Sequence, residues 1–262
     1  MHGFLSLPRG GMTMAGGADV QGAWQLTPSV NTSLGTMLLP FVLSVTAGSV
    51  DVISFLSLGG LFTAHITGNL VILAAHVVDG GTAPMAPMLS VPVFIAALGL
   101  TRLLAAGLEI MRIASLLPLL ALQVMLLLCM LLVRVTANPA IDPNACNTIV
   151  AGMPGVAAMA VQNAPVQISL RGAPTTAVMT SDITRFAMDI GTMVFSRDLR
   201  DVLAARNRAQ HTWPAIVGFA AGCALGGARK AAVGLLSLAL PASTALIAFA
   251  FGFSIQHDGS AD

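Results

Sequence analysis

The sequence predicts an all-α, polytopic membrane protein with about six full spans and two interrupted polar segments that either cross or re-enter, built as an internal duplication. Three observations predict this fold: the composition, the spacing of the apolar runs, and a polar segment that occurs once in each half. Of the 262 residues, 56% are hydrophobic and only 9% are charged. Soluble domains carry about 25% charged residues, so this balance is typical of membrane proteins.

Eight apolar runs follow one another along the chain with little between them. A membrane-spanning helix needs about 20 mainly apolar residues, and six of the runs meet that requirement. The second and the sixth are interrupted by polar residues, and 195–211 is a charged connector that we expect to be helical. The runs are 34–56, 62–78, 88–108, 114–135, 148–168, 175–194, 212–228 and 232–253.

The two interrupted runs resemble each other, which predicts an internal duplication. The stretch "SLGGLFTAHITGN" at 57–69 aligns with "SLRGAPTTAVMTSD" at 169–182 after a one-residue gap, and upstream Asp51 aligns with Asn163. A polar segment at the same place in both halves is harder to attribute to chance than matching apolar segments. We expect a flexible leader, a first membrane repeat, a connecting loop, a second membrane repeat and a polar tail, at 1–33, 34–135, 136–147, 148–253 and 254–262.

The positions of Lys and Arg bear on topology, because cytoplasmic loops are enriched in them. If all eight runs cross, six of these residues lie on one face and five on the other, which decides nothing. If the two interrupted runs enter and return on one side, eight lie on one face, and the other holds only Arg134, Arg229 and Lys230. That bias favours two inverted repeats of three spans, an architecture known in transporters. Eight crossings with parallel repeats remain open.

Polar residues share faces on both interrupted segments, provided that the segments are helical. At 100° per residue, His65, Asn69 and His76 fall within about 40° of one another on the first segment. Ionisable groups at membrane depth are costly, and they usually face a bundle interior or a water-filled cavity. We therefore expect a polar site where the two segments meet. On the second segment, three charged residues lie at i, i+3 and i+7: Asp182, Arg185 and Asp189.

The candidate substrate-binding residues line that expected site between the repeats. Its formal charge is two negative before either histidine titrates, which suits a cation or a proton better than an anion. The alternative is structural, because Asp182 and Asp189 can each pair with Arg185 within one helix, and Thr, Asn and Gln commonly hydrogen-bond between membrane helices. The candidates are Asp51, His65, Thr67, Asn69, Asn163, Asp182, Arg185 and Asp189.

The sequence indicates binding or transport rather than catalysis, so we expect no enzyme. It contains no HExxH, GxSxG or Walker motif. The three cysteines form no CxxC or Cys/His cluster, so no metal and no cofactor is expected. A formal net charge of +1 offers no basic surface for nucleic acid. The expected partners are the lipid bilayer and an unknown small solute or ion, and a homo-oligomer is left open.

Two stretches resemble the signatures of the YoaK-type family of bacterial inner-membrane proteins, a family filed as a domain of unknown function. The first is "GSVDVISFLSLGGLFTAHITGN", and the second is "AMAVQNAPVQISLRG" followed by "TAVMTSDITRF". The likeness extends over about 34–253. It implies a multi-pass protein of the bacterial inner (cytoplasmic) membrane with about six spans and no settled activity.

The sequence is therefore consistent with two functions. The leading interpretation is a small secondary transporter or channel for a small solute or ion, with a polar site between the two repeats. The alternative is a non-transporting membrane scaffold or accessory protein, whose polar residues only join helices.

Overall fold

The computed structural model describes residues 34–80, 84–136, 146–168 and 179–258, and nearly all of them are helical. No strand occurs in these ranges, which confirms the all-α fold. A short 3₁₀ helix, Gly234–Leu238, separates the last two α-helices. The α-helices of the described ranges are α1 (Leu34–Ser57), α2 (Ile66–Val78), α3 (Met85–Ile110), α4 (Leu116–Thr136), α5 (Cys146–Ile168), α6 (Met179–Phe195), α7 (Leu199–Val233) and α8 (Ala239–Asp258).

Four helical stretches in the described ranges are long and apolar enough to cross a membrane. The fourth stretch contains α7, the 3₁₀ helix and α8, which together have 58 residues. At 1.5 Å per residue, this length of helix is almost three times the thickness of a roughly 30 Å hydrocarbon core. The apolar bundle is that of an integral membrane protein. The stretches are Leu38–Ser57, Met85–Ile110, Leu116–Thr136 and Leu199–Gln256.

Most predicted runs match a helix to within a few residues, and three differ. The second run is helical only from Ile66, so 62–65 is not helix. The charged connector is helical as predicted, but it is continuous with the seventh run in the 35-residue α7. α8 continues to Asp258, into the predicted tail. The leader and most of the central loop lie outside the described residues, as do residues 169–178 of the second signature.

α1 is the most enclosed of the candidate spans. Its apolar window is 72% buried, against 17% for α3. Three glycines of α7 lie so close to α1 that a Cβ on any of them would strike its backbone, and four-residue spacing of small residues is a usual basis for such close approach in membranes. Residues Gly218, Gly222 and Gly226 meet Phe41, Val45 and Ser49, respectively. Because both series ascend together, α7 runs parallel to α1.

α5 runs antiparallel to α1. Near its start, Gly152 lies against the side chain of Leu58, just past the end of α1. Near its end, the side-chain amide of Gln162 donates a hydrogen bond to the carbonyl oxygen of Leu43 at 3.0 Å. We call the end of the bundle where α1 ends the upper end, and the opposite one the lower end.

α8 also runs antiparallel to α1, and therefore to α7. Near its start, Thr244 accepts a hydrogen bond of 2.8 Å from the hydroxyl of Thr46. One turn further on, Ala248 packs with Leu39 and Leu43, closer to the start of α1. The chain therefore reverses direction between α7 and α8, where Gly234 adopts a positive φ of 61°.

α3 and α4 fill the remaining sides of the bundle in opposite directions. Arg134, in the last turn of α4, donates a hydrogen bond to the carbonyl oxygen of Ser57, so α4 ends at the upper end. Ala86, near the start of α3, belongs to the buried cluster at that end. Further along α3, Ala105 packs with Ala164 near the end of α5. α3 therefore descends from the upper to the lower end, parallel to α5.

The helices of the two halves can be matched in order: α1 with α5, α2 with α6, α3 with α7 and α4 with α8. A contact between two helices then has a counterpart between the two helices that match them. α1 packs on α7, and α5 packs on α3. α4 packs on α5, and α8 packs on α1. α2 packs on α3, and α6 packs on α7. We refer to these as the paired contacts.

Candidate functional site

The link between α1 and α2, residues 58–65, turns back into the bundle instead of continuing as helix. Gly59 and Gly60 have positive φ angles of 65° and 83°, a conformation that side chains disfavour and glycine permits. Leu58 and Leu61 are fully buried, and Gly152 of α5 leaves room for both. Non-helical backbone away from water must find other hydrogen-bond partners.

Asp51 supplies those partners from α1. Its Oδ1 accepts hydrogen bonds of 2.8 Å from the backbone N–H groups of both Thr63 and Ala64. Its Oδ2 lies 2.8 Å from Nδ1 of His65. Asp51 is 3% exposed, so one buried carboxylate both holds the link and pairs with the histidine.

Asn69, in the first turn of α2, holds the same link from the other side. Its Oδ1 accepts the backbone N–H of Phe62 at 2.9 Å, and its Nδ2 donates to the carbonyl oxygen of Phe62 at 2.7 Å. Nδ2 also donates to Oγ of Ser90 on α3 at 2.7 Å. Asn69 is fully buried. Its hydrogen bonds tie the link and the start of α2 to α3.

His65 is the accessible member of the pair with Asp51. Its side chain is 32% exposed, against 5% for Asp51. The ring packs edge-on against Phe219 of α7 at a centroid distance of 5.1 Å. His65 precedes α2 and lies outside the four candidate spans. Its hydrogen bond to Asp51 raises the pKa of the ring above its ordinary value, although burial opposes this.

The predicted common face of His65, Asn69 and His76 does not include His65, because the helix begins only at Ile66. His65 is held by Asp51 in the non-helical link. Asn69 is buried, whereas His76 is exposed and its Nδ1 lies 2.9 Å from the carbonyl oxygen of Ile72 in its own helix. Thr67 is also exposed. The structure places neither Thr67 nor His76 with the Asp51 cluster.

A second polar group lies between α6 and α7. Asp189 accepts hydrogen bonds from Nε and Nη2 of Arg208 on α7, at 3.0 and 2.5 Å. Asp189 therefore pairs across helices, not with Arg185 in its own helix as the spacing had suggested. Asp189 and Arg208 line a cleft of about 400 Å³ between α6 and α7. Arg185 and His211 line the same cleft.

Asp182 and Asn163, the two remaining candidates, are both buried. Asp182 is 4% exposed, and its Oδ2 has no hydrogen-bond partner. Burial raises the pKa of Asp182 to about 6, although nearby Arg185 opposes the shift. Asn163 on α5 donates a hydrogen bond of 2.9 Å to the carbonyl oxygen of Met159. Residues 169–178, which align with the link, lie outside the described residues.

The structure brings the candidates together in two groups. Asp51, His65 and Asn69 surround the link, while Arg185 and Asp189 face α7. α2 packs mainly on α3, and α6 packs on α7. No extended contact between α2 and α6 occurs among the described residues. The expected meeting of the two polar segments at one shared site is therefore not what these contacts support.

Sequence reasoning missed a polar connection through the middle of the bundle. Nε2 of Gln123 on α4 donates a hydrogen bond of 2.6 Å to Oε1 of Gln162, which in turn donates to the carbonyl oxygen of Leu43. The signal was a lone glutamine inside the apolar run 114–135. Sequence position indicates only a topological role for Arg208 and Arg134, whereas in the structure Arg208 pairs with Asp189 and Arg134 is buried.

Comparison with protein families identifies the chain's family. A family model described as "Protein of unknown function (DUF1275)" matches residues 39–251. The matched range begins in α1 and ends in α8, so it includes both polar groups. No curated protein and no solved structure matches the chain.

Proposed function

The chain belongs to the DUF1275 family, as its two signatures predicted, and we propose that it is a small secondary transporter of the bacterial inner membrane. Its substrate is a small solute or an ion. The observation that carries the proposal is the pairing of Asp51 with His65. A buried carboxylate and a partly exposed titratable ring occur together at a break in helical structure. In membrane proteins, such groups commonly mark substrate or proton paths.

The proposed topology has six crossings, with α2 and α6 as segments that enter and return. α1 ends and α3 begins at the upper end, so the chain makes no net crossing through α2. α5 ends at the lower end and α7 begins there, so the same holds for α6. Two polar segments that return toward opposite faces suit alternating access.

The charge distribution supports this topology and orients it. On the proposed arrangement, eight of the Lys and Arg residues belong to the lower end. The upper end holds Arg134, Arg229 and Lys230. Because cytoplasmic loops are enriched in Lys and Arg, we place the lower end in the cytoplasm.

We further propose that the two halves are inverted repeats. The paired contacts support the duplication, because each extended contact of α1, α2 and α4 has its counterpart in the second half. The opposite directions of α1 and α5 support the inversion. The alignment of Asp51 with Asn163 and of Asn69 with Asp182 then places polar groups at equivalent positions of both repeats.

In the proposed cycle, the charge on His65 controls the upper side. While His65 is protonated, it neutralises Asp51 through their 2.8 Å contact. Loss of that proton leaves a buried negative charge, which favours a cation arriving past the exposed part of the ring. Histidine suits this role, because its charge changes near physiological pH. On the lower side, the titratable group that we assign to this role is Asp182 of α6, which aligns with Asn69 rather than with His65.

Proton movement in liposomes tests the proposal. The purified protein is reconstituted with a pH-sensitive dye inside, and a potassium diffusion potential is imposed with valinomycin. We expect protons to enter liposomes that contain the protein faster than protein-free liposomes, either without added solute or with one of a panel of small solutes. The variant His65→Gln should slow this proton entry strongly. His76→Gln is the matched control, because His76 is exposed on the same segment and should leave the rate unchanged. Equal rates with and without protein across the panel would refute the transporter.

One observation favours the alternative, a membrane scaffold whose polar residues only join helices. All three hydrogen bonds of Asn69 serve the link and α3, so this residue has a structural role. The two functions predict different effects of substituting His65. Under the scaffold, His65→Gln would lower thermal stability without any change in proton or solute movement.

A further inference from the structure

Arg134 is a buried cation at the upper end whose hydrogen-bonding groups are mostly unused. It is 1% exposed. A guanidinium carries five N–H donors and stays protonated in proteins. Nη2 donates to the carbonyl oxygen of Ser57 at 3.3 Å. Nε and Nη1 have no hydrogen-bond partner.

No acid neutralises this charge within the part of the chain that the structure describes. None of the ion pairs found there includes Arg134. Asp51, the buried acid of α1, is already used by the link and His65. Lys230, near the end of α7, lies close enough to Arg134 for the two like charges to repel.

The end of α1 compensates only part of the charge. Its last carbonyl groups carry a partial negative charge, and one of them, that of Ser57, accepts from Arg134. That contact leaves two N–H-bearing nitrogens unpaired in a buried position. A buried ion that lacks a counter-ion is strongly disfavoured, so we look for the missing anion outside the described chain.

Two hydroxyl groups lie at the same end of α1 and are also unused. Oγ of Ser57 and Oγ of Ser54 are buried and have no hydrogen-bond partner. At a spacing of three residues, they share one face of α1. Hydroxyl and guanidinium donors together match the oxygens of a phosphate group, which arginine binds with its planar fork.

We propose that the upper end binds a phosphate group between Arg134 and the serines of α1, with Lys230 as a second positive charge. The group comes from a phospholipid headgroup or from free phosphate, and both present the same tetrahedral oxyanion. Lys230 is half-buried, and the exposed Arg229 is its neighbour in the chain. The site does not depend on the transport proposed above.

Thermal unfolding in a phosphate-free detergent tests the site. Inorganic phosphate is titrated at constant ionic strength against chloride, and phosphatidylglycerol is titrated against diacylglycerol, which lacks the phosphate. A ligand that binds only the folded protein raises the unfolding midpoint with its concentration. A rise with inorganic phosphate supports a free-phosphate site, and a rise with phosphatidylglycerol alone supports a headgroup site. No rise with either overturns the proposal.

Variants show whether the effect belongs to Arg134. Arg134→Met should abolish the shift, and Ser57→Ala should weaken binding about tenfold, as expected for one hydrogen bond to a charged group. Lys230→Gln should reduce the shift without abolishing it, because Arg134 still binds the phosphate. Arg229→Gln is the control, because it removes the same charge as Lys230→Gln, and it should keep the full shift. Asp142 follows α4 in the sequence and lies outside the described residues. If Asp142→Asn destabilises the protein as much as Arg134→Met and neither anion acts, the counter-ion belongs to the chain itself and the proposal is overturned.

Discussion

Nδ1 of His65 lies 2.8 Å from Oδ2 of Asp51, and the other oxygen of the same carboxylate accepts two backbone N–H groups of the link. A titratable ring is thus joined through one side chain to a stretch of buried, non-helical backbone. Because Asp51 belongs to α1, the most enclosed of the candidate spans, a change of charge on His65 acts directly on that helix.

The pairing with Asp51 should make the contribution of His65 to stability depend on pH. Because the folded state raises the pKa of His65, the stabilisation is fully present below the ordinary pKa of about 6.5 and is lost as the pH rises through the higher folded value. We expect wild type to exceed His65→Gln in unfolding midpoint clearly at pH 5.5 and little at pH 9. A difference that grows with pH would contradict the pairing. His76→Gln is the control for loss of an imidazole.

Asn69→Ala should strongly destabilise the protein. The substitution removes three hydrogen bonds and leaves the N–H and carbonyl of Phe62 without their side-chain partner. Unpaired buried polar groups cost about 1–3 kcal/mol each, so a loss of about 2–5 kcal/mol is expected in denaturant unfolding. The matched control is Thr67→Ala, two residues away and exposed, for which we expect a change within about 0.5 kcal/mol. Similar effects of both variants would argue against this role of Asn69.

Asp182→Asn should stabilise the protein at neutral pH. Burial raises the pKa of Asp182 to about 6, so the folded state disfavours the charged carboxylate. That cost appears as the pH rises from the ordinary value of about 3.9 towards 6 and is complete above it. The unfolding midpoint of the variant should therefore exceed that of wild type at pH 8 and approach it at pH 4. Destabilisation at pH 8 would mean that the carboxylate has a favourable partner.

Gly222→Ala should disrupt the contact between α1 and α7. A Cβ at this position would overlap the backbone of Val45, and overpacking typically costs about 1–3 kcal/mol. Gly99→Ala on α3 is the control, because nothing lies within 4 Å of its added Cβ. In that open position alanine favours the helix by up to about 1 kcal/mol. Unfolding midpoints in detergent should fall for the first variant only.

Composition and apolar run length predicted most of the helices, because burial in lipid depends mainly on hydrophobicity and length. The same information could not separate 62–65 from α2. Thr63 and Ala64 leave the helix because Asp51, twelve and thirteen positions upstream, accepts their backbone N–H groups. A partner so distant along the chain leaves no mark in local periodicity.

Polar residue type predicted the group around the link, which is one of the two groups in the candidate site. It did not predict which residues the candidates pair with. Asp51, His65 and Asn69 do cluster, as expected for polar groups in an apolar bundle. Asp189 had a plausible partner at helical spacing in Arg185, yet it pairs with Arg208 across the α6–α7 contact. Spacing within one helix cannot indicate which neighbouring helix will pack against it.

The central claim is that α2 and α6 return to opposite faces of the membrane without crossing. Single cysteines at Asp79, Arg197 and Arg229, in a chain with its three native cysteines replaced, test it in intact cells with a membrane-impermeant maleimide. The account predicts that the cysteines at 79 and 229 react from the outside and that the one at 197 is protected. If the cysteine at 79 is protected together with that at 197 while 229 reacts, α2 crosses the membrane and the proposed topology is wrong.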